Sequence, residues 1–138
     1  MGRRLGRRLA GRHVLLLSGD LGSGKTTFTR GLAAGAGFKG RVSSPTFVLA
    51  KIYRGGRVRL HHLDLYRVAR CAPGDVGIED CLLDGEAACV IEWPEAGEAY
   101  YPSDRLEIRF SHGKSEGERR VSLSARGPRS RSLLKGLA

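Results

Sequence analysis

One short segment of the sequence has the residue types and the spacing that bind the phosphates of a nucleotide. Residues 19–26 read GDLGSGKT, which satisfies the pattern G-x-x-x-x-G-K-[ST] through Gly19, Gly24, Lys25 and Thr26. The glycines allow a tight turn whose consecutive backbone N–H groups cradle phosphate oxygens. The lysine places a charge between the β- and γ-phosphates, and the threonine hydroxyl is a ligand for Mg²⁺. The motif therefore predicts a site for a nucleoside triphosphate and Mg²⁺.

Two acidic residues are candidates to turn this binding loop into a hydrolytic site, which also needs a metal ligand and a group that orients water. Asp64 closes the alternating run VRLHHLD, and Glu92 closes the apolar run AACVIE. Ligand groups of open α/β sheets lie at the carboxyl ends of their strands, where both acids would be placed. Glu92 would orient the water or support the metal, and Asp64 would hold Mg²⁺ directly or through water. Spacing alone leaves each of them open to being an ordinary acid at a strand end.

Four neighbouring features carry weaker signals. We interpret Asp20, inside the loop, as a structural hydrogen-bonding residue, and His61 and His62 have no partner spacing that suits zinc. The segment 43–46, SSPT, could sense the γ-phosphate through a hydroxyl or be an ordinary turn. For Trp93 the residues alone favour packing in the core.

The elements that must position these groups alternate between strand and helix. A continuous apolar run predicts a buried strand at residues 13–18, and a helix follows the loop at about 26–35. A second wholly apolar run at 87–91 predicts a central strand. The runs 47–54 and 57–65 flank Gly55-Gly56, which is typical of a hairpin.

Further elements are expected to complete one α/β domain with a mixed sheet and flanking helices over residues 1–138. Alternation predicts half-exposed strands at 105–110 and 119–124, and residues 69–86 look irregular or briefly helical. A short amphipathic helix is expected at the N-terminus, with Leu5 and Leu9 on one face. A short helix is also expected near the end of the chain.

Composition narrows the class of protein further. The apolar fraction of 41% is ordinary, and no apolar run approaches the roughly 20 residues of a membrane span. The three cysteines have no CxxC pair, which favours reduced thiols in the cytoplasm. The net charge is +10, and only five of the 24 basic residues are lysines. Such a chain attracts phosphate-bearing partners, nucleic acid among them.

Five motifs, taken in order, resemble those of the TsaE (YjeE) family of ATPases, which acts in forming N6-threonylcarbamoyladenosine on tRNA. They are GDLGSGKTT at 19–27, SSPTF at 43–47, HHLDLYR at 61–67, GIED at 77–80 and IEWPE at 91–95. The resemblance implies a cytoplasmic, Mg²⁺-dependent ATPase that is weak by itself. It also implies a complex with a threonylcarbamoyltransferase catalytic subunit and the inactive paralogue of that subunit, and possible contact with tRNA through the complex.

Carried onto matching positions, the resemblance assigns roles to individual residues. Lys25, Asp64 and Glu92 are the expected catalytic residues, and Thr26, Asp64 and Glu92 the expected metal-site residues. The expected ATP-binding residues are Leu21, Gly22, Ser23, Gly24, Lys25, Thr26, Thr27, Thr46, Asp64 and Trp93. The resemblance further implies that the family's N-terminal strand is missing from this chain, which leaves recognition of the base open.

Two other functions use the same loop. A small P-loop kinase would need an acceptor pocket and an arginine-bearing lid, for which only Arg119-Arg120 and residues 67–76 are available. A nucleotide-dependent RNA-binding module would depend mainly on the basic field of the chain.

Overall fold

The fold is that of a computed structural model, which describes residues 1–45, 49–68 and 77–137. The strands are β1 Val14–Ser18, β2 Ala50–Tyr53, β3 Arg59–Asp64, β4 Ala87–Glu92, β5 Leu106–His112 and β6 Arg119–Ala125. The helices are α1 Gly2–Gly6, α2 Lys25–Gly35, α3 Ile78–Leu83 and α4 Pro128–Leu134, with a 3₁₀ segment at Pro94–Tyr100. The bounds of the six strands and of α2 agree with the predicted elements to within a few residues. Residues 46–48, at the start of the predicted strand 47–54, and residues 69–76, the first part of the predicted irregular segment 69–86, lie outside the described ranges.

The strands form one mixed sheet in the order β2-β3-β4-β1-β5-β6. The four inner strands run parallel, whereas β2 pairs antiparallel with β3 and β6 antiparallel with β5. The predicted α/β class with a mixed sheet and flanking helices is confirmed. Because β1, β3 and β4 run in the same direction, their carboxyl ends meet at one edge of the sheet, where Leu17 and Asp64 are both register partners of Glu92.

Each face of the sheet has its own apolar layer. Leu5 of α1, Leu32 of α2 and Leu133 of α4 pack on one face against alternate residues of the strands. Ile78 and Cys81 of α3 pack on the other face. This second layer explains one departure from expectation. The run 57–65 alternates in sequence, yet β3 is buried along nearly its whole length, because both of its faces are covered and both of its edges are paired.

Helices α1 and α2 approach each other through glycines rather than through side chains. A Cβ atom on Gly6 would overlap the backbone of Leu32, and one on Gly35 would overlap the backbone of Arg3. The expected N-terminal helix is present but ends at Gly6, so Leu9 lies beyond it; Leu5 and Leu9 are both fully buried. Helix α2 ends at Gly35, as predicted, and Gly37 just beyond it has a positive φ of 95°.

No helix in the described part of the chain is long and apolar enough to cross a membrane.

Candidate functional site

The phosphate-loop sequence joins the carboxyl end of β1 to the first turn of α2. Gly22 and Gly24 have φ values of 73° and 105°, in the left-handed region that glycine adopts without strain. Gly24 is the N-cap of α2. The first N–H groups of that helix have no partner within the helix, so they and the helix dipole face the loop and favour an anion there.

Lys25 is held at the mouth of this loop by backbone oxygens. Its Nζ donates to the carbonyl oxygens of Gly19 at 2.6 Å and Asp20 at 2.8 Å. The same nitrogen lies 4.1 Å from the centroid of the Trp93 ring, which is a cation–π contact. Burial lowers the pKa of Lys25, and the carboxylates of Glu92 and Asp64 oppose that shift. The ammonium group therefore lies beside the loop before any phosphate binds. Its present contacts, two neutral carbonyl oxygens and an aromatic ring, are weaker than a contact with a charged phosphate would be.

Glu92 is a buried acid of the site, with 2% of its surface exposed. The Thr26 hydroxyl lies 3.2 and 3.1 Å from its two carboxylate oxygens, and the Thr29 hydroxyl donates to Oε1 at 3.3 Å. His62 Nε2 contacts the same Oε1 at 2.8 Å. A strand-end carboxylate and the hydroxyl of the phosphate loop therefore meet directly.

Asp64 lies beside Glu92 on the neighbouring strand and is equally buried. Its Oδ1 accepts from the backbone N–H of Tyr66 at 2.9 Å, and its Oδ2 accepts from the Ser44 hydroxyl at 3.2 Å. These contacts fix the carboxylate and connect it to the segment 43–46. The predicted role of Thr46 in that segment lies outside the described residues.

Trp93 is not a core residue, contrary to what the residues alone favoured. It is half-buried, has a left-handed backbone with φ of 56°, and its ring lies 4.7 Å from that of Tyr66. The strained backbone turns the ring toward Lys25 and the loop, as the resemblance implied. Asp20 takes part through its backbone carbonyl, which Lys25 holds, while the residue itself is exposed.

Loop, strand ends and Trp93 surround one cavity of about 230 Å³. Its lining residues are Leu21, Gly22, Ser23, Gly24, Lys25, Thr26, Thr27, Ser44, Asp64, Glu92 and Trp93. The structure thus brings together every predicted site residue that lies in its described part.

The oxygen groups at this cavity suit Mg²⁺. Among the described residues there is no group of three or more His, Cys, Asp and Glu side chains arranged to hold a metal. Mg²⁺ keeps several waters and needs only one or two carboxylates together with substrate phosphates. The Thr26 hydroxyl and the carboxylates of Glu92 and Asp64 supply such hard oxygen ligands.

The sequence interpretation missed the residues that hold Glu92 in place. His62 was weighed only as a zinc ligand, and Thr29 was not singled out. One signal was available, since His62 and Asp64 are two residues apart on a strand and therefore share a face.

A phosphate loop between the central parallel strand and a helix, with acids at the neighbouring strand ends, defines a small α/β protein of the P-loop NTPase type. The sequence model of the family described as "Threonylcarbamoyl adenosine biosynthesis protein TsaE" matches residues 1–121. The chain belongs to the TsaE family, as the ordered motifs indicated, and that family functions in tRNA threonylcarbamoyladenosine biosynthesis.

Similar proteins support the same assignment along most of the chain. The TsaE protein of Bacillus subtilis is 38% identical over 125 residues, which cover 91% of this chain and 77% of that protein. The TsaE protein of Streptomyces coelicolor is 39% identical over 137 residues, covering 94% and 90%. The crystal structure of YdiB from Bacillus subtilis superposes with a TM-score of 0.81 at 32% identity, covering 96% of this chain and 80% of that one.

Proposed function

We propose that this chain is the Mg²⁺-dependent ATPase subunit of the assembly that forms threonylcarbamoyladenosine on tRNA, and that hydrolysis drives a conformational step of its partners. The observation that carries the proposal is the contact of the Thr26 hydroxyl with both carboxylate oxygens of Glu92, beside the Lys25 ammonium. A buried acid in contact with the loop threonine can serve both the metal and the attacking water, and hydrolysis needs both.

In the proposed reaction, the backbone N–H groups at the start of α2 and the Lys25 ammonium hold the β- and γ-phosphates. Thr26, Glu92 and Asp64 would hold Mg²⁺, which would supply positive charge to neutralise those phosphates. Glu92 also orients a water molecule, whose oxygen bonds to the γ-phosphorus as the bond from that phosphorus to the bridging oxygen breaks. The products are ADP and inorganic phosphate, and the proton that the water loses passes to the carboxylate of Glu92 and from there to solvent. Trp93 keeps the Lys25 side chain at the loop.

The partners in this proposal are a threonylcarbamoyltransferase catalytic subunit and its inactive paralogue. The contact between Ser44 and Asp64 supports a path for the signal, because Ser44 lies at the cavity, where its hydroxyl can respond to the γ-phosphate. Cys81 and Cys89 are buried free thiols, which supports action in the cytoplasm.

An assay of phosphate release distinguishes this proposal from a small P-loop kinase. We expect slow release of inorganic phosphate from ATP and Mg²⁺ without any acceptor, and faster release with the partner proteins present. Transfer of the γ-phosphate to a nucleoside or another small acceptor, without stimulation by the partners, would show that the site is that of a kinase.

The distribution of charge favours RNA binding as a second function. Helices α1, α2 and α4, which share one face of the sheet, contain no acidic residue. On the other face, α3 and the segment Pro94–Tyr100 contain four acids and no lysine or arginine. Arginine pairs readily with phosphate, so the helices of the first face present a surface suited to an RNA backbone.

We expect the isolated chain to bind tRNA with an affinity that falls steeply with salt, by filter binding at two salt concentrations. Arg3→Glu with Arg7→Glu should weaken binding by about tenfold or more at low salt and flatten the salt dependence. These two arginines are chosen because Arg4 and Arg8 instead hold carbonyl oxygens at the end of α4. The control is Arg109→Glu with Arg126→Glu, an equal charge change on the opposite face. Equal losses from both pairs would contradict a defined RNA surface.

A further inference from the structure

His62 is a fully buried polar side chain to which the proposed reaction assigns no part. It lies on β3, and none of its surface is exposed. Its register partner on β4 is Val90, so the imidazole reaches Glu92 diagonally, two residues further along that strand. A polar group this deeply buried needs partners for both ring nitrogens.

Both nitrogens have partners, and the partners lie on opposite sides of the ring. Nε2 lies 2.8 Å from Oε1 of Glu92, and Nδ1 lies 2.9 Å from the hydroxyl of Tyr53 on β2. A carboxylate oxygen only accepts hydrogen bonds, so the Nε2 atom carries a proton and donates it to Glu92. The tautomer of His62 is therefore set by the acid of the active site.

Tyr53 links His62 to Ser43, the first residue of the segment 43–46. Its hydroxyl lies 3.2 Å from the backbone carbonyl oxygen of Ser43, and the phenol is 5% exposed. Burial raises the pKa of Tyr53, which keeps it a neutral hydroxyl. A line of polar contacts thus runs from Ser43 through Tyr53 and His62 to Glu92, in which the single hydroxyl proton of Tyr53 is shared between the Ser43 carbonyl oxygen and His62 Nδ1.

We propose that His62 is a positioning residue that fixes the carboxylate of Glu92 for hydrolysis, and that Tyr53 joins this contact to the start of segment 43–46. The proposal rests on the function proposed above. Thr26 also contacts Glu92, but its hydroxyl oxygen is needed at the metal, whereas the Nε2 proton of His62 is committed to Glu92. Groups that orient a ligating side chain in this way typically affect metal affinity or activity by about 10- to 100-fold.

Two conservative substitutions separate positioning from packing. The amide nitrogen of glutamine can take the place of Nε2, whereas that of asparagine can take only the place of Nδ1. We expect His62→Gln to retain kcat within about threefold and His62→Asn to lose about 10- to 100-fold. The affinity for ATP without metal should stay within about threefold in both, because the loop contacts are unchanged. The affinity for ATP with Mg²⁺ should fall for asparagine alone.

Matched controls lie on the same strand and in the same contact chain. His61→Gln changes the adjacent histidine, which points to Asp84 with Nε2 2.9 Å away, and should leave kcat unchanged. Tyr53→Phe removes one hydroxyl and should lower kcat by less than the roughly 10- to 100-fold expected for His62→Asn, because Tyr53 does not contact Glu92 itself. Melting temperatures identify any variant that loses activity by unfolding.

A measurement on the resting protein keeps the inference separate from the function it rests on. Long-range ¹⁵N–¹H spectra should show His62 protonated at Nε2, with ring signals that shift in Glu92→Ala while those of His61 do not. If the wild-type chain fails to hydrolyse ATP, the proposed function is wrong. The spectra would still show whether His62 donates a hydrogen bond from Nε2 to Glu92. The inference is overturned if His62 is protonated only at Nδ1. It is also overturned if folded His62→Asn retains full kcat, or if folded His62→Gln loses as much as His62→Asn.

Discussion

Replacing Lys25 with alanine should abolish detectable ATP binding, with a loss of about 100-fold or more in affinity. The substitution removes the only charged side chain of the loop 19–26 that could donate to the β- and γ-phosphates. Lys25 is only 5% exposed, so water would not readily replace its ammonium group. In the wild type, Nζ donates to the carbonyl oxygens of Gly19 and Asp20, and the substitution leaves these two oxygens beside the loop without that donor. Fluorescence titration with a labelled ATP analogue measures the effect.

The matched control is Lys39→Ala, an exposed lysine just beyond α2 that has the same charge. It should leave the affinity unchanged within about twofold, since the interactions of exposed charges are screened within roughly 10 Å. Binding by Lys25→Ala within about threefold of the wild type would mean that the loop does not hold the triphosphate as proposed. If Lys39→Ala loses binding as well, the affinity for ATP depends on the overall positive charge of the chain rather than on the position of Lys25.

Glu92→Ala should bind ATP yet hydrolyse it at least about 100-fold more slowly. The loop and Lys25 remain, so we expect the phosphates still to be held, whereas the group proposed to orient water is gone, and such groups contribute about 10²- to 10⁴-fold. The variant also leaves the buried Nε2–H of His62 without its acceptor, which should cost about 1–3 kcal/mol of stability. Calorimetric binding, phosphate release and a melting curve on one preparation check all three effects.

Glu95→Ala is the control for this prediction, because Glu95 is an exposed acid three residues further along the chain. Its phosphate release should match that of the wild type. Normal turnover by Glu92→Ala would remove Glu92 from the chemistry and leave Asp64 as the remaining acid of the site.

The sequence predicted those parts of the fold that follow from a local pattern of residues. The loop 19–26 and the apolar runs at 13–18 and 87–91 predicted a parallel core, and the hairpin at Gly55-Gly56 predicted the antiparallel edge. Because parallel strands end at one edge of the sheet, the meeting of Asp64 and Glu92 could be anticipated from the same runs.

The features that sequence reasoning missed depend on contacts between distant segments. His62 reaches Glu92 only because β3 and β4 pair in one particular register, and 30 residues separate them along the chain. Gly35 ends α2 as the local pattern predicts, but its close approach to the backbone of α1 depends on how the two helices pack. Trp93 has an apolar side chain that suits a core, but its left-handed backbone turns it toward the loop.

The most direct test of the central claim is the rate of phosphate release from ATP and Mg²⁺, measured for the wild type and Glu92→Ala, each with and without the partner transferase and its paralogue. We predict slow release by the wild type alone, clear stimulation by the partners, and almost none by Glu92→Ala in either condition. Release that is equal in the two chains, or that the partners leave unchanged, would contradict the account.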